Sequence, residues 1–308
     1  MTVPFISVLT TMFGVEPYVD EFYRRTRVAL EKVSDDYEIV FVDDGSPDNS
    51  KQRVLKLIEE DPKVRLIELS RNFGQHKAIM AGLAHVRGDR VFLIDADLEE
   101  DPALLEEFHT IMEESDEVDL VYGYMEKRPG PIFARLSGAV FYRLMNLMSD
   151  LPIPKNPMAA RLMTRSYVDA LLQFRESHVW LAGIMALSGY KQIGVPCEKT
   201  HKGSSSYTLS RKITLALDAL ISFTNKPLTF VAGSGILMSV ASLAISVYLF
   251  SRALSSDAEI AGWMLVLASV WFLGGLILSA IGLVGFYVGR IFLQVKQRPN
   301  AIVRKIYN

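Results

Sequence analysis

The stretch RVFLIDADL, residues 90–98, is a short apolar run that ends in two aspartates, Asp95 and Asp97. Its β-branched and aromatic residues predict a buried strand over Arg90–Ile94. Similar runs precede and follow it, and amphipathic helical stretches separate them. This alternation predicts an α/β fold with a doubly wound, mainly parallel sheet. The other predicted strands are Phe5–Leu9, Tyr37–Val42, Val64–Leu69 and Asp119–Tyr122, and the predicted helices are Val19–Val33, Asn49–Glu60, Gln75–His85 and Ala103–Glu114.

Acidic pairs follow two of the predicted strands. Asp95 and Asp97 follow one strand, and Asp43 and Asp44 follow another. In doubly wound sheets, ligands bind beyond the carboxyl ends of the strands, where the strand order switches. We therefore expect both pairs near one binding site. For Asp43 and Asp44 two interpretations stay open: hydrogen bonds to a nucleoside, or an Asx-type turn that uses aspartate for backbone geometry.

The spacing of the second pair favours a metal site. Alternate residues of an extended segment point the same way, so Asp95, Asp97 and Glu99 are expected on one face. Carboxylate oxygens are the ligands of Mg²⁺ or Mn²⁺, and such an ion can neutralise a departing diphosphate. The alternative is an acidic helix start, with Asp101 as the N-cap. That alternative does not explain two aspartates directly after an apolar strand.

The composition excludes several classes of protein and site. The chain has 308 residues and a formal net charge of −2, whereas a nucleic-acid-binding protein usually has a basic excess. We therefore predict no nucleic acid partner. A single cysteine, Cys197, excludes an intramolecular disulfide framework and a four-cysteine zinc site.

Two uncharged runs near the C-terminus predict membrane spans, at residues 228–250 and 261–289. Both are long enough to cross a hydrocarbon core of about 30 Å, and buried core helices rarely stay uncharged for so long. Residues 211–227 form an amphipathic pattern that predicts a helix lying in the membrane interface, with an ordinary surface helix as the alternative.

Basic residues concentrate before the first span and after the second, and the loop 251–260 carries only one. The positive-inside rule therefore predicts a cytoplasmic domain over residues 1–210, a non-cytoplasmic loop, and a cytoplasmic tail over residues 290–308. In a bacterium this would be a multi-pass protein of the inner membrane.

Several motifs, taken in order, resemble a known family. They are Val42–Ser46, Ser70–Gly74, Ala81–Leu83 and Gly88–Asp89 running into Asp95–Leu98. Together they resemble the family 2 inverting glycosyltransferases, and the two spans resemble the polyprenyl-phosphate glycosyltransferase and dolichyl-phosphate mannose synthase-like branch. The resemblance implies a GT-A fold, a nucleoside-diphosphate sugar donor and a divalent metal ion.

The resemblance also implies roles for individual residues. Asp95 and Asp97 would be the catalytic pair that serves the nucleotide sugar and the metal, with Glu99 close to the ion. Asp44 would contact the nucleoside, with Asp43 next to it. The stretch that cradles the base in relatives differs here, where it includes Glu16. The further candidates for the nucleotide sugar are Thr11, Phe13 and Arg128.

The acceptor side departs from the family pattern. Relatives often carry carboxylates in a segment that here is residues 156–162, and of that pattern Arg161 remains. A phosphate acceptor tolerates this loss because its oxygens are already anionic near pH 7 and need no general base, unlike a sugar hydroxyl. A basic Gly-Ser-Tyr loop follows, for which contact with anionic lipid is the alternative. The acceptor-phosphate candidates are Arg135, Arg161, Lys199, Lys202 and Ser205.

We therefore predict an inverting, metal-dependent transfer of a hexose or related sugar to a polyprenyl phosphate at the cytoplasmic leaflet. A processive polysaccharide synthase is a second possibility, although the Gln-x-x-Arg-Trp acceptor motif of those enzymes is missing. A third is a non-catalytic membrane regulator that binds nucleotide sugar. The small-residue spans and the resemblance to tetrameric relatives favour self-association, for which a homo-tetramer is one candidate, and the oligomeric state stays open.

Overall fold

The computed structural model describes residues 5–115, 117–126, 156–176, 179, 181–198, 262–308 and single positions between 228 and 244. The chain divides into two compact units. The first is Met1–Leu209 together with Arg298–Asn308, and the second is Ser210–Gln297. The predicted interfacial helix 211–227 and loop 251–260 lie outside the described residues, as do five predicted site residues: Arg128, Arg135, Lys199, Lys202 and Ser205.

An eight-stranded sheet forms the centre of the first unit. Its strands are β1 Ile6–Met12, β2 Tyr37–Asp43, β3 Val64–Leu69, β4 Arg90–Leu93, β5 Leu120–Tyr124, β6 Pro157–Thr164, β7 Gln192–Pro196 and β8 Val303–Tyr307. The strand order in the sheet is β7-β5-β6-β4-β1-β2-β3-β8. β1 pairs in parallel with both β2 and β4, β2–β3 and β5–β7 are also parallel, and β6 and β8 join antiparallel. The predicted mainly parallel α/β sheet is therefore confirmed.

Helices pack on the sheet and share its aromatic core with the strands. The helices described in this unit are α1 Val19–Glu31, α2 Ser50–Glu60, α3 Gln75–Leu83, α4 Leu104–Glu113, α5 Arg165–Leu171 and α6 Leu181–Leu187. Phe22 of α1 packs edge-to-face on Phe41 of β2, with ring centroids 5.8 Å apart. Phe108 of α4 packs on Phe92 of β4 in the same way, with ring centroids 6.2 Å apart.

The strand order switches at β1, and this switch fixes the position of the site. The chain runs outward from β1 through β2 to β3, and then returns to the other side of β1 as β4. The loops that follow β1, β2 and β4 therefore leave the same edge of the sheet, where doubly wound folds bind their ligands.

The C-terminal residues form an edge strand in the first unit, where the sequence analysis placed a tail. β8 pairs with β3, and Tyr307 donates a hydrogen bond to Glu68 at 2.8 Å. The register skips Arg304, since Glu68 faces Lys305 while Leu69 faces Val303. This bulge allows two consecutive charged side chains to stay exposed, which hides the strand pattern in the sequence.

The second unit contains a long apolar helix, α7, over Gly262–Val295. Phe272–Val295 is the one helix of the described residues that is long and apolar enough to cross a membrane, with mean hydropathy 2.0. It continues beyond the predicted end at residue 289, because a single cation such as Arg290 does not end a helix and here lies over the Phe286 ring. The described positions between 228 and 244 are helical. The rest of the first predicted span lies outside the described residues.

Candidate active site

The loop that follows β4, residues 95–100, carries the predicted carboxylates and is called the carboxylate loop below. Asp95, Asp97 and Glu99 are half-exposed, and the residues between and after them are buried. All three carboxylates are therefore accessible to solvent, and their convergence on one ligand stays a prediction. β4 ends at Leu93, so a turn and not an extended strand produces the alternation of accessible and buried residues.

Each aspartate of the loop has a defined hydrogen bond. Asp95 Oδ1 accepts from the side-chain amide of Gln75, which begins α3, at 2.8 Å. Asp97 Oδ1 accepts from the backbone N–H of Glu99 at 3.0 Å, which closes a tight turn. Among the described residues no donor contacts Asp97 Oδ2, so this oxygen remains available to a ligand on the accessible side.

Asp43 and Asp44 lie buried at the end of β2 and hold backbone turns. Asp43 Oδ1 accepts from Ser46 N–H at 2.9 Å, which is the Asx-type turn considered from the sequence. Asp44 accepts from the N–H groups of Phe73 and Gly74 at 2.7 and 2.9 Å. Burial raises the pKa of Asp44 against the effect of these two bonds. Contact between this pair and a nucleoside stays a prediction.

The acid in the stretch after β1, Glu16, has partners within the protein. Glu16 accepts hydrogen bonds from the backbone N–H and the side-chain amide of Asn49, at the start of α2. Arg53 lies 3.7 Å from the same carboxylate. Thr11 is half-buried on β1, and Phe13 beyond it is 54% exposed. Phe13 therefore has a ring face available, whereas Glu16 is engaged within the protein.

Arg161 lies beneath the site instead of on its surface. It is 8% exposed and donates to the carbonyls of Met158 and Ala159 and to the Met185 sulfur. A direct contact of Arg161 with an acceptor phosphate stays a prediction.

Two polar residues at the site escaped the sequence analysis. Gln75 follows the quoted Ser70–Gly74 motif by one residue, and its contact with Asp95 links positions 20 residues apart. Glu100 occupies a buried position in the alternating pattern. A glutamate on a predicted buried face was the available signal, because such a group needs partners inside the protein.

The donor set suits a hard divalent cation. Asp95 and Asp97 present carboxylate oxygens, which Mg²⁺ and Mn²⁺ prefer. Within the described ranges, however, no three acidic, histidine or cysteine side chains are grouped closely enough to hold an ion by themselves. A cation at the carboxylate loop would therefore take part of its coordination from a ligand or from water.

Comparison with known proteins assigns the family. The sequence profile described as Glycosyl transferase family 2 matches residues 7–172, which is more than half of the chain. The chain belongs to glycosyl transferase family 2. A protein of Mycobacterium tuberculosis (strain CDC 1551 / Oshkosh) named as a glycosyltransferase is 45% identical over 98% of this chain and 88% of its own. The uncharacterized glycosyltransferase YkcC of Bacillus subtilis (strain 168) is 33% identical over 98% of this chain and 94% of its own.

Two solved structures share the fold. Glucosyl-3-phosphoglycerate synthase of Mycobacterium tuberculosis superposes with TM-score 0.53 at 18% identity, over 72% of this chain and 80% of that one. The mannosyltransferase PcManGT of Pyrobaculum calidifontis, solved with GDP-Man and Mn²⁺, superposes with TM-score 0.51 at 17% identity. The superposition covers 96% of this chain and 87% of that one. The GT-A-like architecture of this chain is therefore confirmed.

Proposed function

We propose that this protein is a membrane-anchored, inverting glycosyltransferase that transfers a sugar from a nucleoside diphosphate to a polyprenyl phosphate. The carboxylate loop carries the proposal: Asp95 and Asp97 are both accessible in a turn at the carboxyl end of β4, beside the switch in strand order. Membership of glycosyl transferase family 2 supports sugar transfer.

In this proposal the two aspartates of the loop bind Mg²⁺ or Mn²⁺ together with the donor diphosphate. Asp97 contributes its available Oδ2, while Gln75 fixes the carboxylate of Asp95. Glu99 would lie next to the ion. When bound, the ion neutralises the charge that develops on the departing diphosphate. The complex of PcManGT with GDP-Man and Mn²⁺ supports the choice of cofactor and donor class.

A phosphate acceptor suits the chemistry of the site. A sugar hydroxyl must lose its proton to a base, whereas the second pKa of a phosphate monoester is about 6 and its oxygens are already anionic. Glu100 is the carboxylate that contacts the segment 158–160, and it is fully buried with an oxygen on each of two backbone N–H groups. It therefore cannot reach an acceptor. A phosphate oxygen that attacks the anomeric carbon opposite the diphosphate gives inversion in one step.

The connectivity of the two units supports anchoring by two spans. Leu209 and Arg298 both belong to the first unit, so the second unit leaves and rejoins the same domain. A chain with this connectivity crosses a membrane an even number of times. If α7 is one crossing, a second lies between residues 210 and 261, where the described positions from 228 to 244 are helical. The acceptor lipid would then lie in the membrane that anchors the enzyme.

A donor panel tests the proposal. Membranes that contain the full chain are incubated with Mn²⁺, polyprenyl phosphate and one radiolabelled nucleotide sugar at a time, and the organic phase is counted. We expect one donor class to label the lipid, with loss of the label when EDTA removes the metal. Label that appears without polyprenyl phosphate, or no label with any donor, would contradict the proposal.

A further inference from the structure

Glu100 is a fully buried glutamate that the proposed reaction does not use. It directly follows Glu99 in the carboxylate loop and is 0% exposed. A buried carboxylate is costly unless hydrogen bonds replace its lost hydration. Its position next to the catalytic candidates therefore calls for a physical explanation.

The explanation begins with an interruption in β6. Tyr122 of β5 faces Arg161, whereas Tyr124 faces Pro157, so residues 158–160 of β6 stand opposite the single residue Gly123. On the other side the ladder between β4 and β6 ends at Leu93 and Arg161. Residues 158–160 thus run beyond the end of β4, at the level of the carboxylate loop.

Glu100 takes the place of a strand partner at this interruption. One carboxylate oxygen accepts from Ala159 N–H at 3.0 Å, and the other accepts from Ala160 N–H at 2.5 Å. Arg161 donates to the carbonyls of Met158 and Ala159. Two buried groups of opposite charge therefore hold the same peptide segment, one through its N–H groups and one through its carbonyls.

The carboxylate loop needs such an anchor because its backbone is strained. Leu98 has a φ of +59°, in the left-handed region that non-glycine residues rarely adopt. Strained conformations persist where surrounding contacts over-determine them, and they cluster at active sites. Here the buried side chain of Leu98 is one anchor and Glu100 is the next. Asp97 and Glu99 flank the strained residue.

We propose that Glu100 is a positioning residue that fixes the carboxylate loop by binding the interrupted segment of β6, so that Asp95, Asp97 and Glu99 are held ready for metal and donor. This inference rests on the proposed function, in which the carboxylate loop binds the metal and the donor. Glu100 acts through the backbone and contacts no substrate.

The test replaces one acceptor oxygen and measures the loop directly. In E100Q the side chain keeps its size but retains one acceptor, so one of the two N–H groups loses its partner. We expect hydrogen exchange in a peptide covering residues 94–101 to accelerate about tenfold, and binding of Mn²⁺ alone, measured by electron paramagnetic resonance, to weaken about tenfold. The control is E106Q, since Glu106 is an exposed carboxylate that pairs with Lys32 and is expected to change neither quantity.

The outcomes separate this inference from the proposed function. Loop exchange and Mn²⁺ affinity within twofold of wild type in E100Q would overturn the inference, as would equal acceleration in the distant β2 and β3. If E100Q does not fold, E100D serves as the second variant, because it keeps both carboxylate oxygens on a shorter side chain. E100D is expected to accelerate loop exchange and to weaken Mn²⁺ binding. Wild-type values of both in E100D would overturn the inference. A wild-type chain that binds no Mn²⁺ and transfers no sugar would instead contradict the proposed function, while the exchange data still decide the role of Glu100.

Discussion

At the residue scale, the amide of Gln75 determines how Asp95 is presented. Hydrogen bonds to charged groups contribute about 1.5–3 kcal/mol, and Gln75 is exposed, so its removal does not disturb the core. We expect Q75A to lower kcat/KM at least about tenfold with an unchanged melting temperature. Steady-state kinetics measure this effect. Q52A is the matched control because Gln52 is exposed on α2 and makes no hydrogen bond to the carboxylate loop. Rates within twofold of each other in the two variants would refute the role of Gln75.

The residues predicted from the sequence are those whose signal is local. Asp95 and Asp97 follow an apolar strand within a few positions, and the alternation that groups them with Glu99 is also local. The contacts of Glu100 with Ala159 and Ala160 join positions 59 and 60 residues apart. No local pattern encodes such a contact, because it depends on how β6 pairs with its neighbours.

At the scale of elements, Gly45 fixes how the loop after β2 packs on the loop after β3. Its φ is +71°, and an added Cβ would lie 2.8 Å from Asn72 N. Gly189 has a φ of +72°, and a Cβ added there would have no atom within 4 Å, so a substitution at Gly189 measures backbone strain alone. We expect G189A to lower the free energy of unfolding by about 1 kcal/mol. G45A is expected to lower it distinctly more, because a backbone clash adds to the strain. Chemical denaturation of the full chain in detergent compares the free energies of unfolding of the two variants. Equal decreases would show that the loop moves to relieve the clash.

The elements themselves were predicted unevenly, for physical reasons. β3 matches its predicted range, and the other predicted strands differ by one to three residues at an end, because strand ends depend on pairing with neighbours. β6 begins at Pro157 and is absent from the predicted strands, since an interrupted strand carries no clean alternation. β8 was hidden by the bulge at Arg304.

At the scale of the whole molecule, the even number of crossings predicts opposite exposure of two positions. Ser255 lies in the predicted loop between the spans, and Arg298 begins the segment that rejoins the first unit. We expect S255C and R298C to react with a membrane-impermeant maleimide from opposite sides of the membrane, in intact cells and in inverted vesicles respectively. Burial raises the pKa of the Cys197 thiol to about 11, so the native cysteine adds little background. Labelling of both positions from the same side would contradict two spans and favour a helix that lies on the membrane surface.

The most direct test of the account compares two aspartates of the same acidic stretch. In the proposed mechanism Asp97 offers a carboxylate oxygen to the metal and donor. Asp101 is exposed and accepts a hydrogen bond from Ala103 N–H in the turn before α4, a bond that asparagine can keep. The measurement is the initial rate at which radiolabelled sugar passes from its nucleotide donor into polyprenyl phosphate, for wild type, D97N and D101N at equal folded protein. We predict that D97N lowers this rate about a thousandfold, as loss of several kcal/mol of charge stabilisation requires, and that D101N stays close to wild type. A D97N variant that transfers sugar as fast as D101N would contradict the central claim.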